Sequence, residues 1–476
     1  MEPELRFGPS GAIGRAVRTP PLGGEIVEWD LVGATRAQAS AEPAPGGVSL
    51  LQADHLRGVV AADAAGRVHC AFVGGMLRFD EPLDPGAMAR ALTGFVRDHE
   101  ELRSFYPLSE GSSLRRLVAA PETIEMTVVD GPDASVAGED LVEWISDRAS
   151  RRSRPDSFPA VSFGAARDDT GFTFYYTTDH SHGDGYSLLL ALSEVAARYR
   201  AQVHGEPVRL PRAGAFGDYV SAERAAAAAV DPTGFGAGRW RDALRANGGR
   251  IPAAPLDLGL SGGLPQPAVT VVEHTLLDAA QAQRIDALLV GGEATFAGVL
   301  HAALALAYYE LSGSTDYFVA TVVATRSNGH ERTQGWLCNF VPVAFAVDPS
   351  ATPLAVAVTA SDVLRAARRV SADPVHGVLA VLAAEGTIDA VDGSPQMVSY
   401  IDARRLQDPD DPVLGTMMLL TGAGLTRNAN VWFTRYADDV AISSLVPDNP
   451  TSRRSVTQLI AAVSARLAEF ASGAAT

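Results

Sequence analysis

The sequence predicts an α/β protein built as two lobes. Strand-type and helix-type periodicities alternate through both halves of the 476 residues. A stretch rich in proline and glycine separates the halves, and the 47% hydrophobic and 20% charged residues suit a packed protein rather than a disordered one. On this reading residues 1–47 form an N-terminal arm, 48–205 a first lobe, 206–267 a connector and 268–476 a second lobe.

The arm is rich in Gly, Pro and Ala, offers one strand candidate at Glu25–Trp29, and is expected to contribute no core. From Ser49, SLLQADHLRGVV reads as a short helix and HCAFVGGMLRFD as a strand. Asp84 is placed to cap a helix running to His99, with Pro85 in its first turn. A strand IEMTVVD and a helix from Glu139 to Arg148 follow, then the β-branched and aromatic run FTFYYTT and a helix from Ser187 to Tyr199. Within the connector, SAERAAAAAV reads as a helix. The second cycle opens with strand VTVVEHTLL, a helix capped by Asp278 that reaches Leu289, and ATFAGVLHAALALAYYELSG. That last helix is apolar on most faces, ends at Gly313, and is expected to be buried. Strands YFVATVVAT and FVPVAFAV flank the loop RSNGHERTQGWLCN. A helix from about Pro353 to Val370, strands QMVSYID, NVWFTRY and DVAISSLV, and a helix from Ser452 to Ala471 complete the chain.

A formal net charge of -17 argues against general nucleic-acid binding, since no basic patch stands out to neutralise phosphates. The run from Arg148 to Arg154 reads as a solvated helix end. No window approaches the roughly 18 apolar residues of a membrane span, and the amino terminus has no apolar targeting core, so a cytoplasmic protein is expected. Cys70 and Cys338 are expected to be reduced thiols acting as small core hydrophobes.

The densest chemistry lies at Asp179-His180-Ser181-His182-Gly183-Asp184-Gly185, where a strand breaks and a helix begins. These can be ordinary loop residues. His180, His182 and Asp184 can also be read as metal ligands, although the related metallo-hydrolase motif continues with a further His where this chain has Gly185. The third reading is a histidine general base supported by nearby carboxylates.

At this point the chain resembles a known superfamily. His180-x-x-x-Asp184-Gly185 at a strand end is similar to the HHxxxDG signature of the condensation-domain and chloramphenicol-acetyltransferase-like acyltransferases, with Asp179 replacing the first His. SLLQADHL resembles the family's opening segment, and LDPGAMARALTGFVRDHEELRSFY its first long helix. VVATRSN with QGWLCNFVPV resembles the second-lobe segment flooring the channel. SYIDARR and WFTRYADDVAISSLVPD are most similar to actinobacterial polyketide-associated and glycolipid acyltransferases. The DFGWG motif of peptide-synthetase condensation domains is not found in the chain.

The resemblance implies two chloramphenicol-acetyltransferase-like lobes in a V-shaped pseudo-dimer with a central tunnel. It implies an ester-forming acyltransferase that takes an acyl group from acyl-CoA or an acyl carrier protein to a hydroxyl of a lipid, glycolipid or polyketide. Neither a metal nor a cofactor beyond that thioester is expected. His180 is then the base, Asp184 pairs with Arg326 to fix the loop, and Gly183 and Gly185 allow a tight turn and close approach. Asp179, His182, Trp336, Asn339 and Tyr400 are candidates for the substrate channel, with Asn339 a possible donor to an intermediate. Trp336 can equally be core, and Tyr400 and Asp402 plain strand residues. Ser187 reads as a helix cap. Amide formation, metal-dependent hydrolysis and a non-catalytic carrier-binding protein are the alternatives.

Overall fold

The computed structural model describes residues 5, 7–8, 11–12, 21–67, 71–108, 113–129, 134–260, 269–326, 329–388, 393–405, 412–422, 424 and 426–474. Two large sheets organise these residues, beside a small third one in the order Glu42–Pro43, Leu117–Val118 and Ser104–Phe105. The first runs in the order Gly11–Ala12, Met418–Thr421, Phe72–Phe79, Phe172–Asp179, Val161–Arg167, Gly24–Leu31 and Met126–Val129, with Ser135–Val136 beside Gly24–Leu31. The second runs Phe7–Gly8, Val269–Asp278, Asp439–Pro447, Asn430–Arg435, Met397–Asp402, Asp316–Ala324 and Cys338–Ala346. Each large sheet carries its own core and its own helices, which makes two α/β lobes.

Strand Phe172–Asp179 is central to the first sheet, pairing Phe174 with Leu77 on one side and with Ala165 on the other. Both faces are covered, which explains an apolar run without strict alternation. Phe172, Phe174 and Tyr176 enter the core shared with helices Pro85–Asp98 and Gly185–His204. Tyr175 points to the opposite face, where Trp144 of helix Leu141–Arg152 meets it edge-on at 5.9 Å. Local caps set several boundaries: Asp84 accepts from Ala87 N, Asp278 and Gln281 form a reciprocal capping box, and Thr295 accepts from Gly298 N. Gly313, left-handed at φ 72°, ends the buried helix Phe296–Ser312.

Three features differ from the sequence reading. The arm is not coreless: strand Gly24–Leu31 sits inside the first sheet and buries Ile26, Val27, Trp29 and Leu31. Residue 268 does not divide the lobes cleanly either. Strand Met418–Thr421 crosses back to pair antiparallel with Phe72–Phe79, Met418 facing Met76 and Thr421 facing Val73. The connector is packed structure: helix Phe235–Ala246 sinks Trp240 into the second-lobe core, and helix Phe216–Ala228 ties to the first lobe through Gly217 N to Glu100 Oε1 and Arg224 to Val48 O. Cys338 is buried, as expected of a core thiol, whereas Cys70 lies outside the described residues.

Candidate active site

The loop after Phe172–Asp179 is shaped by its two carboxylates. Asp179 Oδ1 accepts from Ser181 N at 2.9 Å and caps the single turn His180–His182. Asp184 Oδ1 accepts from Ser187 N at 2.7 Å and caps helix Gly185–His204. The cap is therefore Asp184 and not Ser187, whose hydroxyl instead donates to Gly335 O at 2.7 Å. Neither Gly183 nor Gly185 adopts a left-handed conformation. Gly183 is extended at φ -170°, and the tight approach is at Gly185, where a Cβ would stand 3.3 Å from Ile401 Cδ1.

Arg326 grips Asp184 with two parallel bonds, Nη1 to Oδ2 at 2.8 Å and Nη2 to Oδ1 at 3.0 Å. Nη2 also donates to Ser187 Oγ at 2.5 Å and Nη1 to Leu337 O at 3.1 Å, while Leu337 N donates to Asp184 Oδ2 at 3.0 Å. This knot fastens the first-lobe loop to the second-lobe segment Gly335–Leu337. Burial alone would raise the Asp184 carboxyl, but the Arg326 charge and these bonds hold it below the ordinary carboxylate range.

His180 lies apart from that knot. Its main-chain N donates to Ala71 O at 3.0 Å, and its ring centroid lies 4.1 Å from that of Trp336 at a 35° tilt. The residue is half-buried; Nδ1 is enclosed, which leaves Nε2 as the open edge of the ring. Burial lowers its affinity for a proton below the ordinary imidazole value, and the charge of His55 lowers it further. The imidazole is accordingly neutral near pH 7 and able to accept a proton.

His182, a channel candidate in the sequence, is instead fully buried behind the loop. Its Nδ1 is 3.1 Å from Glu101 Oε1, within a network that includes Gln52, Tyr106 and Arg116. Gln52 Nε2 also donates to Ser181 O at 2.8 Å, so the network braces the turn from the rear. His180, His182 and Asp184 thus point to three different partners, an arrangement that does not converge on one ion. Among the described residues no group of three or more His, Cys, Asp or Glu side chains is placed to hold a metal ion.

Asn339, another channel candidate, is engaged within the second lobe. Its amide donates to Ser371 O and Asp373 O at 3.1 and 2.8 Å and accepts from Val375 N at 3.0 Å, pinning the start of helix Val375–Ala384. Tyr400 faces the second-lobe core and stacks on Phe296 at 6.4 Å. Its neighbour Ile401, on the opposite strand face, is the residue that reaches Gly185. Asp402 binds Arg404 at 2.7 and 2.8 Å. Trp336 stands against the His180 ring, and Asp179 is enclosed beneath the loop.

Sequence reasoning missed His55. Helix Leu50–Ala64 presents it beside the loop, with Nε2 donating to Asp179 Oδ1 at 2.7 Å. A signal was available: Ser49 and Gln52 form a capping box, and His55 lies three residues beyond Gln52 on the same helix face.

A half-open imidazole at a strand end thus lies beside a bidentate carboxylate-arginine tie between two α/β lobes. The chain belongs to the condensation-domain family, which matches residues 64–374. It is 27% identical to the 2'-acyl-2-O-sulfo-trehalose (hydroxy)phthioceranyltransferase PapA1 of Mycobacterium tuberculosis, over 95% of this chain and 87% of that protein. It is 25% identical to the acyltransferase PapA3 of Mycobacterium tuberculosis, over 96% of each. Among solved structures, a PapA2 acyl transferase superposes with a TM-score of 0.81 at 23% identity, covering 97% of this chain and all of that one. The first condensation domain of the calcium-dependent antibiotic synthetase superposes at 0.70, with 20% identity over 90% of this chain and 97% of that domain. The fold is thus the pseudo-dimer of chloramphenicol-acetyltransferase-like lobes, and the protein is an acyltransferase. No helix among the described residues is long and apolar enough to cross a membrane.

Proposed function

We propose that the protein transfers an acyl group from a thioester to a hydroxyl of a sugar-based lipid acceptor, with His180 as general base. The observation that carries this reading is the His180 ring itself, backed by Trp336 at 4.1 Å and open at Nε2. The acceptor O–H gives its proton to Nε2 as its oxygen bonds the acyl carbon. The C–S bond then breaks, and the departing sulfur takes the proton from the imidazolium. Atoms and charge balance without a covalent enzyme intermediate. Holding both substrates against one imidazole supplies the remainder of the acceleration through proximity.

Support for a sugar hydroxyl comes from the relatives, whose names place PapA1 on an acylated sulfo-trehalose and PapA2 on trehalose-2-sulfate. Acyl-CoA and an acyl chain on a carrier protein present the same thioester chemistry, and both belong to the proposal as donors. Amide formation is the second reading, favoured by the likeness to peptide-synthetase condensation domains. The test is release of free thiol from acyl-CoA and carrier-bound donors, with sugar alcohols or amines as acceptors. Release that depends on a sugar alcohol supports ester formation. Release that depends only on an amine would replace it with the second reading.

A further inference from the structure

Asp179, immediately before His180, is fully buried, and it accepts hydrogen bonds from Ser181 N at 2.9 Å and from His55 Nε2 at 2.7 Å. A buried carboxylate needs such partners, and this one recruits an imidazole from a different element, helix Leu50–Ala64. The His55 ring then meets Trp336 edge-on at 5.8 Å and 77°. Trp336 in turn covers His180 at 4.1 Å, and the His55 and His180 centroids are 6.4 Å apart. The contacts close a circuit: Asp179 is bonded in the chain to His180 and holds His55, and His55 abuts the indole that lies on His180.

Resting on the reading of His180 as the base, we propose that His55, anchored on Asp179, is a positioning residue that seats Trp336 against the His180 ring and sets the local field on it. Burial is the main influence lowering His180, the His55 charge adds to it, and Asp179 and Asp184 oppose it. The other charged groups nearby are engaged elsewhere. Asp54, the adjacent helical residue, meets His376 at 2.6 Å and Arg57 at 2.8 Å. Arg326 is committed to Asp184, and Glu101, Arg116 and His182 are bonded to one another behind the loop.

Diethylpyrocarbonate modifies neutral imidazole, so the pH midpoint of His180 labelling, read by peptide mass spectrometry, reports its protonation without any substrate. His55→Gln keeps an amide donor for Asp179 while removing the ring and its charge. The expected result is a His180 midpoint raised by about 0.5 to 2 pH units, the span Coulomb's law gives for one charge at this separation in surface-like to aqueous surroundings. A fall in kcat with little change in KM should accompany it. A midpoint unmoved to within about 0.2 unit, the range of an ordinary surface perturbation, overturns the proposal. Should His55→Gln fail to fold, the double variant His55→Asn with Asp179→Asn removes the buried charge together with its partner. The midpoint should lie higher there than in Asp179→Asn alone, and equal midpoints in the two would overturn the proposal. Transfer that survives His180→Ala would defeat the base assignment itself. Transfer lost in His180→Ala beside a midpoint indifferent to His55 would defeat this inference alone.

Discussion

Asp184 and His180, four residues apart, are both titratable and do opposite work. Asp184 accepts four hydrogen bonds, from Ser187 N, Leu337 N and both Arg326 terminal nitrogens, which leaves it no free edge for substrate. Removing it strands a guanidinium that is only 4% exposed. Asp184→Ala is therefore expected to lower stability by about 3–5 kcal/mol in urea denaturation, the usual result of breaking a buried ion pair from one side. An unchanged denaturation midpoint would refute that role. The sign with pH follows from the depressed values of Asp179 and Asp184. Their contribution is complete above the unfolded value near 3.9 and is lost as pH falls through the lower folded ones, so acid unfolding should set in below about pH 4. The pairing of Asp184 with Arg326 was expected from the family resemblance of the motif. The directions of His182 and Asn339 were not legible, because each is decided by a partner remote in sequence: Glu101 for the first, the Ser371–Val375 turn for the second.

Segment Gly335–Leu337 is the element on which the second lobe meets the Asp184–Ser187 turn of the first. Gly335 sits at φ +139°, and a Cβ there would lie 2.5 Å from the Phe216 ring on the docked connector helix. Gly335→Ala is expected to cost about 2 kcal/mol or more through strain and overlap together. At Gly183 the nearest atom to an added Cβ is Ser187 Cβ at 3.6 Å, so Gly183→Ala should stay within about 0.5 kcal/mol. Paired thermal melts of the two variants check the contrast, and equal effects would contradict it. At this scale, elements with strong local signals were readable: Asp84, Asp278 and Gly313 mark helix ends where the structure puts them. Helix Phe235–Ala246 was not, since FGAGRWRDALRA begins with two glycines among its first four residues and turns only a thin apolar face, around Trp240 and Leu244, to the core.

Across the whole molecule, the two lobes do not end where the chain's halves do. Met418–Thr421 lies between Gly11–Ala12 and Phe72–Phe79, and Phe7–Gly8 pairs with Val269–Asp278 of the other sheet. Sequence periodicity identifies a strand but not a partner some 340 residues away, so this exchange was invisible before folding. With strands exchanged and the Arg326–Asp184 knot between them, the lobes should unfold together in one calorimetric transition. Two resolved transitions would show that the exchange does not couple them. The same coupling places a first-lobe imidazole against a second-lobe indole, and the proposed chemistry depends on that placement. The measurement that tests this account most directly is the pH dependence of kcat/KM for thioester-to-alcohol transfer in the unaltered protein and in His180→Ala. A single acid limb with its midpoint below the ordinary imidazole value near 6.5 is predicted, together with a loss of roughly 10²- to 10⁴-fold in His180→Ala and no such limb in its residual rate. A folded His180→Ala protein that keeps both the rate and the limb would contradict it.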